Sequence, residues 1–130
     1  MFWQLLLAHL LADFPLQPLW LVRSKRFFWG LAVHGTVHFL TLLLVVGSAR
    51  GVIWPQLLAL ALIHFTIDVL KYRLSSRRPG WVTAPYFIDQ AVHTLSVLAA
   101  SDWIGRLAPE LPLAIAPAMA IVASAYVVAT

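Results

Sequence analysis

Histidine and aspartate fill nine of the 130 positions, and eight of those nine form pairs spaced four residues apart: His9–Asp13, His34–His38, His64–Asp68 and Asp89–His93. On a helix such a pair shares one face, its members about 6 Å apart along the axis. At this composition a given histidine meets another histidine or aspartate four residues away roughly 14% of the time, so four such pairs in four separate apolar runs exceed chance. Imidazole nitrogen and carboxylate oxygen together suit zinc, iron, manganese or nickel, and a helical i, i+4 pair presents two ligands to one ion. Eight candidate ligands suffice for two ions, or for one ion whose imidazoles are oriented by carboxylates. His9, His38, His64 and His93, with His34 beside them, are the candidate metal ligands. Asp13, Asp68 and Asp89 are the candidate catalytic residues, as co-ligands or general base. Lys71 and Arg73, just beyond Asp68, are candidates to bind a phosphate-bearing substrate, and Gln17 and Gln90 complete the candidate substrate-binding set as hydrogen-bonding partners.

The same residues admit other chemistry. Histidine–carboxylate chains relay protons. His38 and His93 are possible axial ligands of a haem, although carboxylates in the same layers argue against an apolar haem pocket. Polar pairs in apolar helices also fix helix packing without any chemistry.

The elements that carry these pairs must dissolve in lipid. Hydrophobic residues make up 62% of the chain and charged residues 11%, against about 45–50% and about 25% in a soluble domain, so so much apolar surface cannot be hidden from water. The absence of cysteine excludes disulfides, thiolate metal sites and cysteine nucleophiles. The net charge of +4 is scattered over connections rather than massed on one face, which excludes nucleic acid as a partner. Five apolar runs are marked off by punctuation: 1–14, 31–48, 52–70, 85–100 and 112–129. The first ends at Pro15 and Pro18, with Trp20-Leu21-Val22 as an interfacial continuation. No basic residue precedes it and no small-x-small site follows, so it is expected to belong to the mature protein. The expected fold is all-α, a polytopic transmembrane bundle of about five helices forming a single integral membrane domain over residues 1–130.

Charge placement orients this bundle. Arg23, Lys25 and Arg26 follow the first run, and Lys71, Arg73, Arg77 and Arg78 follow the third. By the positive-inside rule that side faces the cytoplasm, with the N-terminus outside and the C-terminus inside. All four pairs then fall in the cytoplasmic leaflet. His9, His38, His64 and His93 lie roughly 7–12 Å below the boundary, with Asp13, His34, Asp68 and Asp89 one turn nearer the water. An intramembrane aspartate costs about 2.5–3.5 kcal/mol on insertion scales, so three of them require partners, and convergence on a shared polar centre supplies these.

The segments LLAHLLADFPLQP, HGTVHFLTLLL, HFTIDVLKYRL and FIDQAVHTLSVL, spread over about residues 4–98, resemble a family of small bacterial membrane proteins catalogued as a domain of unknown function. That resemblance implies the bacterial inner (plasma) membrane but names no chemistry. A looser likeness is to inner-membrane metal-dependent hydrolases, which implies a divalent ion and hydrolysis of a lipid-like substrate. Two functional classes follow. One is a metal-dependent hydrolase open to the cytoplasmic leaflet. The other is a non-enzymatic membrane module, either a proton or ion pathway or a partner subunit. Membrane lipid is the expected partner. The alanine-rich run 112–129 is expected to pack against a second copy or another membrane protein.

Overall fold

The computed structural model describes residues 1–46, 50–75 and 83–107. They form five helices: α1 (Phe2–Asp13), α2 (Leu19–Ser24), α3 (Phe28–Val46), α4 (Arg50–Ser75) and α5 (Thr83–Leu107). Four of the five expected runs are present, α2 is the short continuation after the prolines, and run 112–129 lies outside the described residues.

Two helices are longer than their apolar runs. α4 continues to Ser75, so Lys71 and Arg73 sit on its last turns rather than in a connection. α5 continues to Leu107. There the Arg106 guanidinium donates to Asp102 at 2.6 Å, one turn earlier, and Ile104 is fully buried. This ion pair and the buried isoleucine extend the helix through a stretch that composition alone marks as polar.

α1 packs on α3, α3 on α4, α4 on α5 and α5 back on α1. The four long-axis helices thus close a ring in which α1 faces α4 and α3 faces α5 across the centre. Each helix is antiparallel to its neighbours, as short connections require. The bundle has two unlike halves. Toward one end Leu5, Ala8, Leu42, Val46, Ile53, Leu57, Leu60, Val97 and Ile104 form a dry core. Toward the other, the buried side chains include His9, His34, His38, His64, Asp68, Asp89 and His93, alongside Ala12, Leu21, Ser24 and Leu31.

The outside is the reverse. Leu40, Leu44, Val52, Leu62, Ile63, Leu95 and Leu98 are exposed on the same helices that bury the histidines. Apolar patches of that extent are rare on proteins that live in water, whereas lipid solvates them. α3 and residues Gly51–Leu74 of α4 are each long and apolar enough to cross a membrane. α1, at 12 residues, spans only about 18 Å.

The α2 segment is folded tightly onto α3. The Ser24 hydroxyl donates to the Leu21 carbonyl at 2.8 Å, and the Phe27 amide donates to the Ser24 carbonyl at 2.8 Å. A Cβ on Gly30 would lie 2.1 Å from the Ser24 carbonyl oxygen. Only glycine at this position lets the turn approach so closely, and the approach sets Lys25 at the polar end of the bundle.

Candidate metal centre

Each of the four ring helices contributes one pair to a single centre. On α3 the i, i+4 spacing sends both His34 and His38 inward. On α1, α4 and α5 it sends inward a histidine with an aspartate one turn toward the polar end. The five histidines are 1–2% exposed.

The deeper rings form a slab. His38 stacks on His64 with centroids 3.9 Å apart, and His64 stacks on His93 at 4.1 Å. His9 closes the group, its centroid 5.2–5.6 Å from the other three. A haem between His38 and His93 is thereby excluded, because the His64 ring fills that space.

Above the slab lie His34 and the carboxylates. His34 Nε2 is 3.1 Å from His64 Nε2, 3.1 Å from Asp13 Oδ1 and 3.5 Å from Asp68 Oδ2. His64 Nε2 is 3.5 Å from Asp13 Oδ1 and 3.7 Å from Asp68 Oδ2. His93 Nε2 lies 3.6 Å from Asp68 Oδ1 and 3.5 Å from Asp89 Oδ1. His9 Nδ1 and His38 Nε2 are 3.4 Å apart.

Many of these approaches are close without being hydrogen bonds. Among the described residues no hydrogen-bond partner is aligned with His9 Nε2, His34 Nδ1, His38 Nδ1, both nitrogens of His93, Asp13 Oδ1 or Asp89 Oδ1. Buried polar atoms are nearly always satisfied, and this cluster offers two ways: protonated imidazoles pairing with the carboxylates at the distances above, or a cation held by the same nitrogens and oxygens. Three groups have ligand atoms within 4.8 Å of one another: His9–His38–His64, Asp13–His34–His64, and His64–Asp68–His93. His64 belongs to all three.

Sequence reasoning missed Lys25. Its ammonium reaches Asp68 Oδ2 at 3.3 Å, across 43 positions of sequence. Lys71 lies 2.5 Å from Asp89 Oδ2, so this residue contacts the centre itself. The Gln17 amide donates to the Asp13 carbonyl at 2.7 Å, capping the end of α1, and its Oε1 is buried with no aligned partner among the described residues. Gln90 is half-buried beside Asp89 on α5, and Arg73 is exposed on the last turn of α4. Arg77 and Arg78 lie outside the described residues.

A helical bundle with an apolar exterior and a buried His/Asp centre is the class that fold and site define. Residues 1–122 match the family described as a protein of unknown function (DUF3307), and the chain belongs to that family. No curated protein and no solved structure matches the chain.

Proposed function

We propose that this is an integral membrane metalloprotein of the bacterial inner membrane whose His/Asp core holds a divalent ion, zinc, iron or manganese, and hydrolyses a lipid-like substrate in the cytoplasmic leaflet. The observation that carries the reading is the shared position of His64 in three overlapping ligand groups, surrounded by buried imidazole nitrogens and carboxylate oxygens of which several have no aligned hydrogen bond. His9, His38, His64 and His93 hold the ion, with His34 as an alternative ligand. Asp13, Asp68 and Asp89 serve as co-ligands or as the general base. A divalent ion held there would supply Lewis acidity to the site. The excess of basic residues at this end supports a cytoplasmic orientation, with the N-terminus outside.

The dry half of the bundle supports a site reached from one side only. Leu5, Leu42, Ile53, Leu57 and Ile104 are fully buried there. Among the described residues the buried polar side chains of that half are Gln4 and Thr41, neither of them ionisable, so no chain of titratable groups continues to the opposite face, as a transmembrane proton path requires.

One observation favours the second reading, a non-enzymatic module with run 112–129 docked on a partner. Lys25 and Lys71 already neutralise two of the three buried carboxylates without an ion. The readings separate on incubation of purified protein with bacterial lipid extract in mixed micelles, with products followed by mass spectrometry. Lipid cleavage that needs added metal and stops on chelation supports the hydrolase. A metal-loaded protein that cleaves nothing leaves the module.

A further inference from the structure

We infer that Lys25 and Lys71 form an anion clamp which opens when metal binds, so that the site takes a phosphodiester-bearing ligand and takes it cooperatively with the ion. The inference rests on the proposed metal centre and adds the ligand's class.

The two lysines hold two of the three carboxylates of the centre. Asp68 lies in one ligand group with His64 and His93, and Asp89 lies within 3.5 Å of His93. Both carboxylates are buried, while their ammonium partners reach outward: the Lys71 side chain is 38% exposed and that of Lys25 is 17% exposed. Lys25 holds Asp68 Oδ2, the oxygen that also faces His34 and His64, so an ion drawn to it competes directly with the ammonium. Lys71 holds Asp89 Oδ2 while Oδ1 faces His93, so an ion on Oδ1 loosens the ammonium by withdrawing charge from the shared carboxylate. The released lysine keeps its charge at the mouth, since its long stem lets the ammonium follow the water.

The charge balance then selects an anion. With a divalent ion held by imidazoles, which are neutral as ligands, three carboxylates, two ammoniums and the ion sum to one positive charge in a low-dielectric interior. A ligand with a single negative charge, which a phosphodiester carries, restores neutrality where uncompensated charge is expensive. The surroundings favour the same ligand. Arg23 and Arg26 are exposed on the α2–α3 segment beside Lys25, and no exposed acidic side chain occurs at this end among the described residues. Because the coupling is thermodynamic it is reciprocal, and the anion tightens metal binding by the same factor.

The test uses full-length protein in phosphatidylcholine nanodiscs, which supply no anionic lipid. Dihexanoylphosphatidylglycerol is titrated calorimetrically into metal-loaded and chelator-stripped samples of measured metal content. Dihexanoylphosphatidylcholine serves as control and inorganic phosphate as competitor. The expected result is about tenfold tighter binding of the anionic lipid to the loaded protein, the ordinary scale of coupling between two sites. In K25Q/K71Q the gain disappears while metal is retained, and in K25R/K71R it persists. Competition by inorganic phosphate assigns the phosphate group alone as ligand, and its failure assigns the lipid. Equal affinity of loaded and stripped protein overturns the inference, as does an undiminished gain in K25Q/K71Q. Should the glutamine pair fail to fold, the loaded-against-stripped difference in the unaltered protein decides. A protein that takes up no metal overturns both this inference and the metal centre, whereas bound metal without a gain overturns this inference alone.

Discussion

Replacing His64 should damage metal binding far more than replacing any other histidine of the centre. His9→Ala removes one ligand group and leaves Asp13–His34–His64 and His64–Asp68–His93 whole; His93→Ala likewise leaves two. His64→Ala leaves none with three members. Even the loss of a group that only orients a metal ligand weakens binding about 10–100-fold; His9→Ala and His93→Ala each remove a ligand but leave two groups whole, and a loss near the upper end of that range is expected. For His64→Ala the loss should exceed about a hundredfold, or about 2.8 kcal/mol. Packing sets the control. The His64 ring lies between His38 and His93, so its removal opens a void, with a cost of about 2–5 kcal/mol for large-to-small changes in a core. The polar walls admit water, which softens that cost, and His64→Gln fills most of the space while removing the imidazole. The assay is chelator competition on purified variants, with circular dichroism confirming helix content. Equal losses in His9→Ala, His64→Ala and His93→Ala, with the fold intact, would refute the reasoning that His64 is the common ligand.

Asp68→Asn keeps the shape of a side chain that lies within 3.7 Å of His34, His64 and His93. It should lower metal affinity about 10–100-fold with helicity unchanged, read by the same competition assay. Gly30→Ala drives a methyl group into the Ser24 carbonyl; it should destabilise the protein by about 1–3 kcal/mol, measured as a lower melting temperature in detergent. Topology is read by an impermeant thiol reagent on intact cells: Asp102→Cys should label and Arg26→Cys should not, and the reverse pattern overturns the orientation.

What the sequence discloses of this fold and what it hides have physical causes. The four pairs are legible because a spacing of four on an apolar helix fixes a common face whatever the neighbouring helices do. Helix ends are less legible. α5 passes through Asp102 and Arg106 because both charges stay exposed, where an i, i+4 pair adds modest helix support, while Ile104 between them is buried. The role of His64 as the shared member has no sequence signal. It depends on the cyclic order of α1, α3, α4 and α5 and on the rotation of each about its axis. Lys25 is likewise invisible as a partner of Asp68. Its position comes from the fold-back of α2 over Gly30, a contact between segments that no periodicity encodes.

The central claim is that the His/Asp core is a metal site, and elemental analysis of detergent-purified protein tests it most directly. The account predicts zinc, iron or manganese in stoichiometric amount, at least one ion per chain, retained through gel filtration and lost in His64→Ala. Protein that is folded and metal-free, and that takes up no ion when these metals are supplied, would contradict it.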